Sequence, residues 1–389
     1  MRISEAGGEA ALIQLIQDKY GVSAAGDLAL GIGDDAALVR SGDRFIIVTT
    51  DLLIENTHFR MDLTDPYLLG WKSAAVNISD IAAMGGVPTY VFVSIGLGDI
   101  DTSVVECIYE GIRDVSAKYD SVIAGGDTVA SSAGIVINIT ALGEVEPQHA
   151  ARRDGAIPGD AIVVTNTLGD SRAGLELLLK YGLDGARSFG SGPAGPASGA
   201  SIRSNKSAAS IRSNKSAASI RSSKRPHPHS CPLPQGRGRN ASIRSNGEQL
   251  VERHLKPEPR VNEARAAVGT GKVRSMMDLS DGLASDLAKL CEASRVGAKV
   301  FAGELPISQE LRAGASVLGG DPVELAASGG EDYELLITCA QDDVGGLVRA
   351  IEGTGSSAKS IGEIVEGEGM VLVSPDGDEH PMPASWQHF

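Results

Sequence analysis

The chain has 389 residues, 42% of them hydrophobic and 4% aromatic, with a formal net charge of -15. This length accommodates two domains with substantial cores, and the composition is typical of an α/β protein rich in small aliphatic residues. No stretch has the pattern of a membrane span or a signal peptide, and the four scattered cysteines form no C-x-x-C pair, which disfavours membrane, zinc-binding and disulfide-rich classes. We expect a cytoplasmic protein.

The charge is distributed unevenly along the chain. Residues 185–247 contain eleven Lys or Arg and no Asp or Glu, which leaves 24 basic and 50 acidic residues elsewhere, a net charge of -26. A body this acidic disfavours nucleic-acid binding. It favours a protein that handles phosphates through cations.

The first predicted elements are a helix over 5–20 and a strand over 45–48 that follows an acidic turn. Asp34 and Asp35 stand on this Gly-rich turn. The strand delivers three polar residues to its end, namely Thr49, Thr50 and Asp51. Hard cations take oxygen ligands, and clustered carboxylates repel one another without a cation between them. The pattern predicts a magnesium site, with an acidic surface turn followed by a helix N-cap as the alternative.

A helix rich in alanine is predicted from Pro66 until Gly85 and Gly86 end it. Asp80 is one of the few polar residues on this helix. Because small side chains let a helix lie close to another backbone, we expect Asp80 near the neighbouring strand. A solvated carboxylate is the alternative.

A predicted strand over 89–97 and a helix over 102–119 lead to another strand, over 121–124. This strand runs into the sequence GGDT, which contains Gly126 and Asp127. We interpret it as a buried strand that ends in glycines and a carboxylate. Independent surface turns would not need to repeat this arrangement, so the magnesium prediction gains support.

A boundary rich in Pro and Gly is predicted near 145–158. It separates an N-terminal domain, 1–148, from a C-terminal domain, 149–389. Arg152 and Arg153 lie in this boundary. Either could contact a phosphate through its planar guanidinium, and a solvated linker charge is the alternative.

The basic stretch 185–247 interrupts the second domain. SIRSNK occurs at 201 and 210, SIRSSK at 219 and SIRSN at 242, and each copy offers a single Ile to a core. This pattern predicts a disordered basic insertion. A tolerated surface loop is favoured because long loops cost little extra closure entropy, and non-specific contact with an anion such as nucleic acid is the alternative.

A second acidic centre lies in the sequence MMDLSDGL. A predicted strand end delivers Asp278, Ser280 and Asp281, and the helix that follows adds backbone donors at its N-terminus. Desolvating Asp278 inside the strand end would be costly without a cation or hydrogen-bond donors. A further turn, SGGEDYE, places Glu331 before a predicted strand over 335–338.

These motifs, in this order, resemble the thiamine-monophosphate kinase family of the aminoimidazole ribonucleotide synthetase superfamily. The resemblance rests on the segments GIGDDAAL, TTDLLIENTHF, KSAAVNISDIAAMGG, GGDT, RRDGAIPGD, KPEPRV, MMDLSDGL and SGGEDYELLIT. It implies a two-domain fold of the α/β (α+β) class, with an N-terminal mixed sheet that dimerises and a C-terminal α/β domain. It also implies Mg²⁺-dependent transfer of the γ-phosphoryl group of ATP to thiamine monophosphate, in a homodimer.

Carried onto this sequence, the resemblance implies three sets of site residues. The implied ligands of several Mg²⁺ ions are Asp35, Thr49, Thr50, Asp51, Asp80, Asp127, Asp278 and Asp281. The implied ATP contacts are Tyr109, Gly126, Asp127, Arg153 and Ser280. The implied substrate contacts are His58, Glu331 and Trp386. The acceptor is a phosphate oxygen that is ionised near neutral pH, so no general base is required.

Two alternatives stay open. One is another ATP-dependent synthetase of the same superfamily. Members that rely on reactive cysteines near the N-terminus or at the C-terminus are disfavoured, because the first cysteine here is Cys107, inside a predicted helix, and the chain ends in Phe389. The other is a noncatalytic nucleotide-binding homologue, inactivated by the insertion.

Overall fold

The computed structural model describes residues 8–21, 25–189 and 245–384. Within these ranges the chain forms two mixed sheets, each covered by helices, as the α/β class predicted. The elements of the first half are α1 (Gly8–Tyr20), β1 (Leu28–Leu30), β2 (Ala37–Ser41), β3 (Arg44–Ile54), α2 (Pro66–Ala83), β4 (Val87–Leu97), α3 (Thr102–Lys118), β5 (Val122–Ala130) and β6 (Val136–Val145).

The second half contains the other sheet. Its elements are β7 (Asp160–Thr165), α4 (Asp170–Arg187), α5 (Asn246–Leu255), α6 (Val261–Gly269), β8 (Ser275–Asp278), α7 (Leu283–Ser294), β9 (Gly297–Phe301), α8 (Gln309–Leu318), α9 (Pro322–Ser328), β10 (Leu335–Ala340), α10 (Val344–Glu352), β11 (Ala358–Val365), β12 (Met370–Val373) and β13 (Glu379–Pro381). No helix in the described ranges is long and apolar enough to cross a membrane.

The six-stranded sheet has the order β1-β2-β3-β6-β4-β5 and carries α2 and α3 on one face. The two helices cross closely because glycines face the contact. A Cβ on Gly70 would lie 1.9 Å from the carbonyl oxygen of Ile108, and one on Gly111 would lie 2.0 Å from that of Tyr67. Helix α2 is thereby buried along almost its whole length, which brings the polar residues of its last turns close to β3.

The seven-stranded sheet has the order β13-β12-β9-β11-β7-β10-β8, with β8 at one edge. Helix α2 of the first half packs against β8, so one hydrophobic core runs through both halves, from Ile137 on β6 to Met276 on β8. The indole N–H of Trp71 on α2 also donates to the carbonyl oxygen of Pro257, at 2.8 Å. These contacts fix the end of β8 beside the C-terminal end of α2.

One predicted strand end was wrong. The strand predicted over 121–124 is β5, which continues through the GGDT sequence to Ala130, and most of its residues are exposed. Gly126 is required inside the strand because its φ is 155° and a Cβ there would lie 1.8 Å from the carbonyl oxygen of Val93. Asp127 therefore lies within an exposed strand instead of at a buried strand end.

The predicted insertion, 185–247, falls mostly outside the described residues, which stop at 189 and resume at 245. Its two ends are part of the fold. Helix α4 extends through Arg187, α5 begins at Asn246, and the amide of Gly247 donates to the carbonyl oxygen of Phe189 at 3.0 Å. The predicted disorder of 190–244 and the boundary at 148 stay predictions.

Candidate active site

Three carboxylates meet where the two halves join. Asp35 precedes β2, Asp80 lies near the end of α2, and Asp278 is the last residue of β8. Each offers an oxygen, and these oxygens all lie within 4.8 Å of one another. Asp278 is 1% exposed, and Oδ2 of Asp35 is buried with no hydrogen-bond partner in the described structure. A buried, unpartnered carboxylate oxygen among other carboxylates fits a hard divalent cation such as Mg²⁺.

Burial and mutual repulsion dominate the electrostatics of this cluster. Burial, followed by the charge of Asp51, raises the pKa of Asp80 well above its ordinary value. Burial, followed by the charge of Asp35, does the same to the pKa of Asp278. Without a cation, burial and repulsion therefore favour the protonated form of these two carboxyls more than in an exposed Asp.

Two hydroxyls orient the carboxylates. Thr49 on β3 donates to Oδ2 of Asp80 at 2.5 Å, and Ser79 on α2 donates to Oδ2 of Asp278. The sequence predicted Thr49 as a metal ligand, whereas here its side chain supports a neighbouring carboxylate. Sequence reasoning missed Ser79, although its position directly before Asp80 on a helix rich in small residues was a usable signal.

Arg153 lies against the acidic turn. Its guanidinium donates to Oδ1 of Asp35, its Nε lies 3.8 Å from Oδ1 of Asp34, and its backbone amide donates to Oδ2 of Asp34 at 3.2 Å. Burial, then the charge of Asp35, raises the pKa of Asp34 to about 7. The predicted role of Arg153 as an ATP contact stays a prediction.

A cavity of about 900 Å³ opens beside the cluster, between the two halves. One wall comes from β3, the loop after it and α2, and the other comes from α4, α5 and the segments around 280 and 331. Seven of the residues predicted from the sequence line it: Thr50, Asp51, His58, Asp80, Ser280, Asp281 and Glu331. The fold thus brings most of the predicted metal and substrate residues around one space.

The acidic end of the cavity includes Asp51 and Asp281. Burial and the charge of Asp281 raise the pKa of Asp51 to about 6. Lys289 on α7 binds Asp281 at 2.6 Å and the buried Asp286 at 2.8 Å, while Oδ2 of Asp286 accepts from the amide of Asp281. Asp281 is therefore held at the edge of the cavity by α7.

Other predicted residues lie elsewhere. The lining does not include Tyr109, which is half-buried on α3, or Gly126 and Asp127 on β5. Trp386 lies outside the described residues. Their predicted roles stay predictions. Conversely, the cavity is lined by Lys72 and His254, which the sequence did not single out as site residues.

Comparisons with known proteins identify the family of this chain. The family model described as AIR synthase related protein, N-terminal domain, matches residues 33–145, and the one described as AIR synthase related protein, C-terminal domain, matches residues 234–374. The thiamine-monophosphate kinase of Bacillus subtilis is 32% identical over 316 residues, which cover 81% of this chain and 78% of the relative. That of Aquifex aeolicus is 30% identical over 390 residues and covers 100% of both chains.

A solved structure of AaThiL complexed with AMPPCP and TMP is similar over 100% of this chain and 99% of that one. Its TM-score is 0.74, and the two sequences are 30% identical. The family and the two-domain fold predicted from the motifs are therefore confirmed. This chain belongs to the thiamine-monophosphate kinase family.

Proposed function

We propose that this chain transfers the γ-phosphoryl group of ATP to thiamine monophosphate, giving thiamine diphosphate and ADP. The observation that carries the proposal is the meeting of Asp35, Asp80 and Asp278 beside a cavity large enough for an organic phosphate. The named activity of the relatives supports the same reaction, as does the similar structure complexed with an ATP analogue and TMP.

The residues that would hold Mg²⁺ are Asp35, Asp80 and Asp278, with Asp51 and Asp281 at the edge of the same cavity. Bound Mg²⁺ supplies neutralisation of the negative charge on the phosphates. Phosphoryl transfer through a loose transition state needs mainly alignment and charge neutralisation. The carboxylates, fixed on elements of both halves, provide that alignment.

The acceptor needs no proton removed by the protein. The attacking oxygen belongs to the phosphate of thiamine monophosphate, which is ionised near neutral pH, so no general base is assigned. His58 and Glu331 line the cavity and are proposed to bind the organic part of the acceptor. The amide of Ile54 donates to Nδ1 of His58 at 3.0 Å, which fixes the ring at the turn after β3.

We propose a homodimer in which the six-stranded sheets of two copies pair, because this sheet has an open edge and exposed apolar side chains. In the described structure β5 is an edge strand. Apolar side chains are exposed on β5 and on its neighbour β4, namely Tyr90, Phe92, Val122 and Val129. In a dimer, an edge strand of the partner would pair with the free backbone groups of β5, and the rest of the partner's sheet would cover these side chains. Gly126 and Asp127 would then lie at the interface, near which we place the nucleotide. A cytoplasmic location is also proposed.

The test is a reaction with ATP, Mg²⁺ and thiamine monophosphate, in which ADP and thiamine diphosphate are followed together. We expect the two products in equal amounts and none in EDTA. Nucleotide binding without thiamine diphosphate would instead support a noncatalytic homologue. ADP formation with a different acceptor would support another synthetase of the superfamily.

A further inference from the structure

An ion pair between a buried lysine and a half-buried glutamate crosses the cavity wall between the two halves. The ammonium of Lys72, on α2, lies 2.8 Å from Oε1 of Glu331, and the side chain of Lys72 is only 6% exposed. On the other side, Nδ1 of His254, on α5, lies 3.2 Å from Oε2 of Glu331 and 3.1 Å from Oγ of Ser171. Each carboxylate oxygen of Glu331 thus has its own partner. All three charged or titratable residues line the cavity.

The backbone conformation and hydrogen bonds around Glu331 also fix its position. Its φ is 67°, in the left-handed region that non-glycine residues seldom adopt, and its amide donates to the carbonyl oxygen of Ser280 at 2.7 Å. Tyr333 also has a positive φ, 52°, and its amide donates to the carbonyl oxygen of Leu279 at 2.9 Å. Strained non-glycine residues persist where the surrounding structure fixes them, often at ligand sites. The segment that carries Glu331 is therefore tied to the segment that carries Ser280.

The charges favour an ionised Glu331 and a neutral His254. Burial alone would raise the pKa of Glu331, but the Lys72 ammonium, through its charge and its hydrogen bond, opposes burial and lowers that pKa. Burial, followed by the charge of Lys72, lowers the pKa of His254 to about 3. A carboxylate only accepts hydrogen bonds, so the 3.2 Å contact favours the tautomer of the neutral imidazole in which Nδ1 carries the proton. A carboxylate oxygen has room for more than one donor, which leaves Glu331 able to accept from a ligand.

We infer that Lys72 and His254 are positioning residues that hold the Glu331 carboxylate as a fixed, ionised acceptor for the nitrogen-rich ring system of thiamine monophosphate. This inference rests on the proposed function. The ring system carries a positive thiazolium and an amino group, and both are complementary to a carboxylate. The phosphate of the acceptor must reach the acidic cluster, so its rings occupy the rest of the cavity, where Glu331 lies.

Two other roles of Lys72 give different results in a double-mutant cycle. If Lys72 bound the substrate directly, for example through its phosphate, its removal would weaken binding whether or not Glu331 carried a charge. If it only stabilised the fold, its removal would lower the thermal midpoint without a selective change in the KM for thiamine monophosphate. A residue that acts through Glu331 loses its effect once Glu331 is neutral.

The experiment compares the wild type with Lys72→Met, Glu331→Gln and the double variant, using the KM for thiamine monophosphate, the KM for ATP and the thermal midpoint. We expect Lys72→Met and Glu331→Gln each to raise the KM for thiamine monophosphate about 10- to 100-fold, because hydrogen bonds to charged groups are lost or misplaced. The KM for ATP stays within about twofold. The double variant has the same KM for thiamine monophosphate as Glu331→Gln alone.

His254→Phe keeps a ring of similar size and removes the donor, so it tests the second contact. It should raise the KM for thiamine monophosphate by about 3- to 10-fold, and not at all in the Glu331→Gln background. This variant also covers the case in which Lys72→Met fails to fold because Glu331 is left buried without its cation. The double variant removes both charges and should recover the thermal midpoint.

Arg274→Met is the matched control. Arg274 pairs with the buried Asp160 at 3.0 Å and does not line the cavity. The Arg274→Met variant should have a lower thermal midpoint and an unchanged KM for thiamine monophosphate. Additive effects of Lys72→Met and Glu331→Gln, or equal rises in both KM values, would overturn the inference while the proposed function stands. A wild type that neither binds nor phosphorylates thiamine monophosphate would overturn both.

Discussion

The hydroxyl of Thr49 on β3 donates a 2.5 Å hydrogen bond to Oδ2 of Asp80 on α2. It joins a strand of the first sheet to the helix that packs against the second half. Because Asp80 approaches Asp35 and Asp278, this hydroxyl sets the direction of one carboxylate in a cluster drawn from both halves. Thr49 is therefore part of the site because it orients a metal ligand, although its own side chain does not line the cavity.

Replacing this hydroxyl should weaken metal-dependent activity more than it weakens the fold. We expect Thr49→Val to reduce activity at limiting Mg²⁺ about 10- to 100-fold, as is typical for groups that orient metal ligands. Thr49→Ser keeps the hydroxyl and should stay within a few fold of the wild type. The measurement is turnover as a function of Mg²⁺ concentration. Equal behaviour of the Val and Ser variants would contradict this role.

Magnesium binding should depend on pH. Burial raises the pKa of Asp51, at the edge of the metal site, from 3.8 to about 6, and it raises the pKa of Asp34, which is next to the ligand Asp35, to about 7. Metal ligands must be ionised, so affinity should fall as the pH drops below about 6, and binding near pH 6 should release protons. Calorimetric Mg²⁺ titrations in buffers of different ionisation enthalpy measure that release, which should diminish at pH 8. Asp51→Asn is the control and should release fewer protons.

The same raised pKa values affect the stability of the metal-free protein. When the pKa of a group is higher in the folded state than in the unfolded state, the folded protein binds more protons than the unfolded protein at pH values between the two pKa values. The contribution of these two groups to stability is therefore fully present below about pH 4 and is lost as the pH rises through about 6 to 7. Saturating Mg²⁺ should reduce this loss, which thermal melts with and without the ion would reveal.

Gly126 should tolerate a side chain far less well than the adjacent Gly125. A Cβ on Gly126 meets the carbonyl oxygen of Val93 at 1.8 Å, whereas one on Gly125 meets only the ring of Phe92, at 3.4 Å. Gly126→Ala should therefore destabilise the fold by about 1 to 3 kcal/mol or more, and Gly125→Ala by clearly less. Chemical denaturation of the two variants makes the comparison. Equal stabilities would mean that β4 and β5 are not paired in this register.

Removal of residues 190–244 should leave the kinase intact. The hydroxyl of Ser245 donates to the carbonyl oxygen of Arg187 at 2.6 Å, so the two ends of the excised stretch are neighbours and a short Gly-Ser linker can join them. We expect kcat and both KM values to stay within about twofold, and stability to rise by at most roughly 2 kcal/mol from the shorter loop. A large gain in activity would instead identify the stretch as inhibitory.

The acidic motifs were predictable from the sequence because their chemistry is local. Asp278 ends a short strand whose preceding residues are methionines, and Asp80 stands out on a helix rich in small residues. Their convergence depends on the packing of α2 against β8, which no local pattern specifies. The Gly-Gly pair before Asp127 suggested a turn, whereas Gly126 is needed for the close approach of β4.

Lys72 and His254 show the limit of sequence reasoning. A lysine within a helix that has few polar residues was a signal of a buried cation that needs a partner. That partner, Glu331, lies in the other half of the chain. Nothing in the sequence around His254 indicates that its Nδ1 would meet the same carboxylate.

The carboxylates at the junction of the two halves are proposed to support Mg²⁺-dependent transfer from ATP to thiamine monophosphate. The most direct measurement follows label from [γ-³²P]ATP into thiamine diphosphate as Mg²⁺ is varied, for the wild type and for Asp278→Asn. We predict transfer by the wild type only with Mg²⁺, and at least about a 100-fold loss in the variant, whose fold survives. Transfer that persists in EDTA, or an Asp278→Asn variant with an unchanged rate and Mg²⁺ response, would show that these carboxylates do not support Mg²⁺-dependent transfer.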